Sequence, residues 1–187
     1  MDTRFDFPSF LQDTQRVLRD PKGFFASMPV QGGWGDPLLK AAIYGLAAGI
    51  VNLFWGLFGL RLMPMMFSPG GLGLGALIAL PIAAVLSALV GAAVFWVAAK
   101  LCGVDPEFEA ALRAASACQV LVPLRALFNL FHAASPNLGL ALGAALAVFG
   151  AWLAYHALSQ TLGAPERKAR IAAIVLAVLS LAGMLAS

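Results

Sequence analysis

Three polar residues share one face of a stretch that is otherwise strongly apolar. Arg125, Asn129 and His132 stand at positions i, i+4 and i+7, a spacing that puts them on the same side of an α-helix. An arginine within a hydrocarbon layer is costly unless it is paired or hydrated, so such a residue is a candidate for function. The face predicts a pathway for an anion or a polar lipid headgroup. The alternative is that the long side chain of Arg125 snorkels to the headgroup layer and has no further role.

The composition places this stretch in a membrane protein. Of the 187 residues, 61% are hydrophobic and 11% are charged, and the mean hydropathy is +0.87. A soluble domain has about 25% charged residues, so most of this chain must have lipid as its solvent. The net charge of +3 arises from basic residues in short segments between apolar runs. That distribution indicates orientation in a membrane rather than binding to nucleic acid.

Five apolar runs predict five transmembrane helices. They cover about residues 37–61, 74–99, 110–133, 138–161 and 169–186. Each has roughly 20 residues, which suffices to cross a hydrocarbon core about 30 Å thick. The predicted fold class is therefore an all-α integral membrane protein, in which residues 37–187 form a five-helix transmembrane bundle and residues 1–36 precede it. Pro81 and Pro123 lie within two of the runs and predict kinked helices.

The N-terminal segment is polar but carries apolar residues at helical spacing on both sides of Asp20–Pro21. Ser9 and Gln12 resemble a capping box at the start of the first of two short helices. Such an amphipathic pair would lie along the membrane surface or dock a partner, or else it would pack on the protein itself. The apolar residues of this pair are Phe10, Leu11, Val17, Leu18, Phe24 and Phe25.

Basic residues lie mainly on one side of the predicted membrane. With five crossings, the side of the N-terminus carries Arg4, Arg16, Arg19, Lys22, Lys40, Lys100, Arg113, Arg167, Lys168 and Arg170. The opposite side carries Arg61 and, at depth, Arg125. By the positive-inside rule, the N-terminus is cytoplasmic and the C-terminus lies on the opposite side.

The third run begins with an acidic turn that would face the cytoplasm. Asp105 precedes Pro106 and is predicted to cap the helix. Glu107 and Glu109 would fall in the first turn, where the helix dipole favours anions. Together with Arg113 one turn further on, these acidic residues are predicted to offer a contact to a cytoplasmic partner.

Small residues predict close packing between the helices. Gly45 with Gly49, and Gly139 with Gly143, form two GxxxG pairs, a spacing that lets helix backbones approach each other. Asn52 in the first run is expected to hydrogen-bond another helix.

No arrangement of residues in the sequence supports catalysis. There is no HExxH, GxSxG or phosphate-binding-loop motif, and nothing indicates a nucleophile beside a base. Cys102 and Cys118 lack the paired spacing of a zinc site and are expected to be small buried residues. His156, beside aromatic residues near the end of the fourth run, needs no special role. We therefore expect no enzyme activity, no metal and no cofactor.

Three stretches make the chain resemble a known family. They are Leu18–Phe25 before the first run, Phe108–Ser116 followed by Pro123, and His156–Ser159 with the basic turn before the fifth run. In this order and spacing they resemble the Yip-domain family, the five-span membrane proteins that interact with Rab GTPases, and in particular its small bacterial members. The resemblance implies an all-helical bundle with a cytoplasmic N-terminus.

The resemblance also implies a function. Eukaryotic relatives act in vesicle trafficking as membrane adaptors for small GTPases and for one another. The alanine- and leucine-rich spans here are typical of a bacterial inner membrane, so a small GTPase partner follows only if the relatives' role carries over. We expect a membrane adaptor or scaffold whose partners are the lipid bilayer and a second copy of the chain or another membrane protein. A small transporter or channel that uses Arg125, Asn129 and His132 is the alternative.

Overall fold

The computed structural model of the chain consists of helices packed side by side. It describes residues 6–58 and 74–185, apart from the side chains of residues 132, 133, 184 and 185, and every regular element within those ranges is helical. The helices are α1 (Phe7–Arg19), α2 (Pro21–Ser27), α3 (Gly35–Leu57), α4 (Ala76–Leu101), α5 (Phe108–Cys118), α6 (Leu121–Ala134), α7 (Pro136–His156) and α8 (Glu166–Leu185). A π-helical turn, Ala157–Thr161, continues α7.

Four stretches of the described chain are long and apolar enough to cross a membrane. These are Gly35–Leu57, Ala76–Leu101, Phe108–Phe131 and Pro136–Thr161. The predicted class of all-α integral membrane protein is thereby confirmed, and the four stretches correspond to the first four predicted spans. Because α8 is not one of the four, the fifth span over residues 169–186 stays a prediction, and residue 186 lies outside the described chain. The predicted end of the first span at Arg61 also lies outside it.

The first helix begins before its predicted cap. α1 starts at Phe7 and Asp6 occupies the N-cap position, so the capping box predicted at Ser9–Gln12 is wrong. Pro8 explains the shift, because proline is favoured in a first helical turn. The N–H groups of that turn have no acceptor within the helix, so a residue without an N–H loses no hydrogen bond there. The Ser9 hydroxyl donates a hydrogen bond to the Asp6 carboxylate instead.

The acidic residue at the start of α5 also differs from the prediction. The N-cap position of α5 belongs to Glu107, so Asp105 does not cap that helix. Asp105 forms an ion pair with Lys100 at the end of α4 (3.1 Å), which ties it across the α4–α5 turn. By contrast, the predicted break after α1 is present, and Asp20 accepts a hydrogen bond from an amide of α2 (3.0 Å).

The third span is divided near its middle. α5 and α6 are separated by the turn Gln119–Val120. Pro123 lies in the first turn of α6, where proline fits without loss of a helical hydrogen bond, so the predicted kink takes the form of a break. The side chain of Gln119 then donates a hydrogen bond to Ser87 Oγ on α4 (2.9 Å).

Helices α3 and α4 approach each other to backbone contact. A Cβ atom on Gly45 would lie 2.5 Å from the Leu80 carbonyl oxygen and 2.6 Å from Pro81 Cα. A Cβ atom on Gly49 would lie 2.8 Å from the Ala76 carbonyl oxygen. The packing role predicted for this glycine pair is confirmed, because no larger residue fits between the two backbones.

The fully buried large side chains gather at one end of the bundle. At this end α3 and α5 begin, α4 and the π-helical turn finish, and α1 and α2 lie across the helix ends. Phe25, Leu112, Leu153 and Leu158 are completely buried here. We call it the charged end, because its rim carries Lys40, Lys100, Asp105, Glu109, Arg113 and Lys168.

Replacement of Gly45 by alanine should force α3 and α4 apart. The added methyl group would overlap backbone atoms of α4, which cannot swing away as a flexible side chain can. Overpacking of this kind costs about 1–3 kcal/mol. We therefore expect the unfolding temperature in detergent, followed by tryptophan fluorescence, to fall by several degrees. Gly183→Ala is the matched control, because a Cβ atom there meets nothing within 4 Å. Equal unfolding temperatures for the two variants would contradict the contact.

Candidate functional site

Arg113 is the centre of a polar network at the charged end. Only 9% of its side chain is exposed. Its Nε donates to Glu109 Oε1 (3.1 Å) on the same helix, and its Nη2 donates to the Gly33 carbonyl oxygen (3.1 Å). Asp36 of α3 lies 3.7 Å away and completes the charge pairing. A single guanidinium thus links α5 to the loop before α3 and to α3 itself.

Lys40 extends this network to the N-terminal helices. Its ammonium group lies 3.1 Å from the Asp13 carboxylate on α1 and 3.3 Å from the Asp36 carboxylate one turn back on α3. Nearby, the hydroxyl groups of Thr14 and Tyr44 are hydrogen-bonded at 2.8 Å. We call the set Asp13, Gly33, Asp36, Lys40, Glu109 and Arg113 the Arg113 clamp. The clamp holds α1 against the beginnings of α3 and α5.

The loop between α2 and α3 is fixed by the first turn of α5. The Gly33 amide donates to Glu109 Oε1 (2.6 Å), and the Gln31 side chain donates to Glu107 (3.3 Å). Trp34 packs on Phe108 with ring centroids 5.5 Å apart. Gly33 has φ +92°, a left-handed conformation that glycine adopts without strain, so the chain can turn here and present both its N–H and its C=O to the clamp.

The four residues predicted as a partner contact divide into two pairs. Glu109 and Arg113 are engaged in the clamp and have only 18% and 9% of their side chains exposed. Asp105 is 84% exposed, and Glu107 is exposed beside Gln31. Within the predicted set, Asp105 and Glu107 are therefore the accessible pair.

The apolar residues of α1 and α2 turn mostly inward. Phe10, Val17, Phe24 and Phe25 are buried, and the Phe10 ring packs on Tyr44 of α3 with centroids 5.0 Å apart. Leu18 is half-buried against the same core, whereas Leu11 is exposed. In this conformation the two helices pack on the protein itself, which was one of the two arrangements left open by the sequence. The four buried side chains do not face a bilayer or a partner here, because α3, α5 and the π-helical turn cover them.

The three stretches that carry the family resemblance meet in this core. Phe25, Leu112 and Leu158 come from the three stretches in turn, and all are fully buried. The Thr161 hydroxyl in the π-helical turn donates to the Phe25 carbonyl oxygen (2.9 Å), which joins α2 to the end of α7. The π-helical turn itself was not predicted, because its sequence, ALSQT, carries no proline or glycine that would signal an irregular helix.

His156 is more enclosed than its sequence context indicated. It is buried against the rings of Trp152 and Tyr155, whose centroids lie 5.4 and 4.9 Å from its own. Its Nδ1 atom has no hydrogen-bond partner among the described residues.

Asn52 is likewise buried. Its Nδ2 donates to the Ala48 carbonyl oxygen of its own helix (2.8 Å), so the hydrogen bond expected to reach another helix is not made by this group.

A cleft of about 640 Å³ opens between α4, α6, α7 and α8. Arg125 and Asn129 both line it, so the face predicted from their spacing is present. His132 belongs to the same helix, but its side chain is outside the described part of the chain. Gly139 and Gly143 also line the cleft, so this second glycine pair borders open space.

The remaining lining is almost entirely apolar. It consists of Gly91, Val94, Phe95, Cys118, Gln119, Leu121, Val122, Phe128, Leu140, Leu146, Ala147, Gly150, Ala151, Ala154, Leu176, Ala177 and Ser180. Gln119 and Ser180 are polar contributions that helical spacing around Arg125 did not reveal, because one lies in a turn and the other on a different helix.

The packing of α6 explains why Arg125 faces the cleft. Its neighbour Ala126 is 4% exposed and turns toward α3, where its carbonyl oxygen accepts a hydrogen bond from Trp55 Nε1 (3.3 Å). Arg125 is exposed and, among the described residues, makes no hydrogen bond or ion pair. No group of three or more potential metal ligands occurs in the same described residues.

Comparison with known proteins identifies a family. The family model described as the Yip1 domain matches residues 16–187. No curated protein matches the chain, and no solved structure does.

Removal of the Arg113 side chain should loosen the N-terminal helices. Arg113→Ala leaves Glu109 and the Gly33 carbonyl oxygen without this partner, and an unsatisfied group of this kind costs about 1–3 kcal/mol. We expect amide hydrogen exchange in α1 and α2 to become about tenfold faster or more, with little change in α4. Asp105→Ala is the control, because its ion pair is exposed and worth about 0–1 kcal/mol. Unchanged exchange in the Arg113 variant would show that the clamp does not hold α1.

Proposed function

The chain belongs to the Yip1 domain family, and from that premise we propose that it is a membrane adaptor or scaffold without catalytic chemistry. Its charged end would face the cytoplasm and bind another protein, while the apolar helices anchor that surface in a bacterial inner membrane. The observation that carries the proposal is the Arg113 clamp, which holds α1 and the loop before α3 as a fixed surface at the end of the apolar bundle.

The composition of this surface supports an adaptor. A docking surface gains affinity when its backbone is already ordered before the partner binds, because less conformational entropy is lost on association. Here the loop before α3 is ordered by Gly33 and Glu109, and exposed side chains stand beside it. Asp105 and Glu107 provide negative charge, and Leu11 provides apolar area on α1.

The orientation and the partner follow from charge. The rim of the charged end carries the basic residues Lys40, Lys100, Arg113 and Lys168, and positively charged segments are retained in the cytoplasm. The exposed acidic pair favours a partner with a basic contact surface, which would be another membrane protein or a second copy of the chain. A small GTPase would be the partner only if the role of the eukaryotic relatives carries over. Nucleic acid is not proposed as a partner.

A photo-crosslinking amino acid at Leu11 or at Asp105 should trap this partner in intact cells. We expect a discrete protein adduct from each position, because both side chains are exposed at the charged end. The same probe at Val90, which is 65% exposed on the lipid-facing side of α4, is the control and should give no such adduct. The measurement is the mass and identity of the crosslinked species.

Reversing the charge of Glu107 tests whether the acidic pair, Asp105 and Glu107, takes part in binding the partner. Glu107→Lys should lower the yield of the adduct at Leu11 several-fold, because opposite charges across an interface favour association and like charges oppose it. Folding should change little, since among the described residues the Glu107 side chain is hydrogen-bonded only to the exposed side chain of Gln31. If all three probe positions gave the same adducts, the charged end would not be a docking surface.

A small transporter for an anion or a polar lipid headgroup is a second candidate function. It is favoured by one observation, namely that Arg125 and Asn129 line the same cleft. A cation inside an apolar cleft lowers the cost of bringing an anion into the hydrocarbon layer. The adaptor surface and the cleft lie at different places in the bundle, so one chain can carry both roles.

Flux through reconstituted vesicles tests the second candidate. Arg125→Ala should reduce the protein-dependent flux of chloride or of a fluorescent phospholipid by about tenfold or more, since a charge-assisted hydrogen bond is worth about 1.5–3 kcal/mol. Lys100→Ala removes a cation at the charged end and should leave the flux unchanged. Vesicles with wild-type protein that conduct no faster than empty vesicles would remove transport as a function.

A further inference from the structure

We propose that the cleft between α4, α6, α7 and α8 is a binding site for one anionic phospholipid, whose phosphate contacts Arg125 and one of whose acyl chains lies along the glycine-rich side of α7. This inference deepens the second candidate function, because it names the occupant of the same cleft. It does not require that the lipid be moved, so binding can be tested apart from transport.

The size and the lining of the cleft fit an acyl chain. A volume of about 640 Å³ falls within the range of about 300–1,000 Å³ that ligand pockets occupy. Along α7 the lining extends from Gly139 to Ala154, which corresponds to about 22 Å at 1.5 Å per residue. Gly139 and Gly143 contribute no side chains to this face, so the groove is open along that part of α7.

The geometry of the α6–α7 pair places Arg125 in the leaflet on the side of the α6–α7 connection. A Cβ atom on Gly150 would lie 3.1 Å from Leu121 Cδ1, so these residues are opposite each other across the pair. Arg125 is one turn beyond Leu121 toward the α6–α7 connection. It stands six residues before Phe131, where the apolar stretch Phe108–Phe131 ends, or about 9 Å along the helix. Its backbone therefore lies within the hydrocarbon layer, and its long side chain can extend toward the phosphates of that leaflet.

The charge of the site selects the headgroup. Arg125 is the one cation among the described residues that line the cleft, and no aspartate or glutamate is among them. A guanidinium binds a phosphate through two parallel hydrogen bonds. A lipid phosphate would thus pair the positive charge of Arg125, which no described side chain pairs. The cationic nitrogen of an ethanolamine or choline headgroup would find no carboxylate partner among the described lining residues. A headgroup with a net negative charge, such as that of phosphatidylglycerol, is therefore the better match.

Asn129 adds a second contact on the same face. It stands one helical turn from Arg125, on the side of the α6–α7 connection, and it lines the cleft. Its amide offers both a donor and an acceptor, which suits the ester or glycerol oxygens next to a lipid phosphate. A free inorganic anion would use the guanidinium but would leave the apolar length of the groove unfilled.

The test is native mass spectrometry of the intact protein in detergent, titrated with dioleoylphosphatidylglycerol. We expect one lipid to bind with saturation, more tightly than dioleoylphosphatidylcholine, and not to be displaced by millimolar inorganic phosphate. Arg125→Gln should weaken binding of phosphatidylglycerol by about tenfold or more, because it removes the charge from the phosphate contact. Lys100→Gln, at the opposite end of the bundle, should leave the affinity unchanged.

A second variant tests the apolar groove independently of the charge on Arg125. Gly143→Leu keeps Arg125 but fills the groove, so it should also lower the number of bound lipids while the unfolding temperature without lipid stays close to that of the wild type. Non-saturating binding that is equal for both lipids would mean annular lipid only and would overturn the site. Displacement by inorganic phosphate would identify a free-anion site instead. Saturable binding without flux would support the lipid site and remove only the transport function.

Discussion

Backbone N–H and C=O groups in hydrocarbon have no water to bond, so a chain in a membrane must satisfy them internally. This constraint governs the two irregular places within the candidate spans. At the α5–α6 turn, the Gln119 and Val120 amides donate to carbonyl oxygens of α5 at 3.1 and 3.3 Å. At the π-helical turn, the Leu162 amide donates to the Ala157 carbonyl oxygen (3.1 Å). These amide groups therefore keep hydrogen-bond partners although the regular α-helical pattern is interrupted at both places.

The two irregular turns divide the bundle into a packed end and an open half. α5 packs on α4 and on the core below α2, whereas α6, after its change of direction, packs on α3 through Ala126 and Trp55 and leaves a cleft beside α4. The clamp around Arg113 closes the packed end with ion pairs, and Arg125 lies in the open half without such a partner among the described residues. Arg113 is thus paired and mostly buried, whereas Arg125 is exposed and has no partner among the described residues. The proposed adaptor surface and the proposed site for an anion or a lipid headgroup therefore lie in different parts of the bundle.

The fold class and the first four spans could be predicted from the sequence, because long apolar runs are sufficient evidence for membrane helices. The Gly45–Gly49 contact and the shared face of Arg125 and Asn129 were also predictable, since both depend on spacing within one helix. The Arg113 clamp was not, because it joins residues from α1, α3, α5 and a loop that are far apart along the chain. The inward packing of α1 and α2 was left open for the same reason: an amphipathic pattern identifies an apolar face but does not identify what covers it.

The helix caps were the least accurate part of the prediction. Asp105 was expected to cap α5, but Lys100 competes for its carboxylate, and Pro8 moves the start of α1 ahead of Ser9.

The π-helical turn at Ala157–Thr161 has a consequence for evolution and for design. A residue inserted in an α-helix rotates everything beyond it by about 100°. Loss of one residue from this turn would therefore change the rotational phase between Gly150, which borders the cleft, and Leu162, which follows the turn and is buried in the core of the charged end. The length of this short turn keeps the cleft and the packed end in angular register, so substitutions should be tolerated here more readily than deletions.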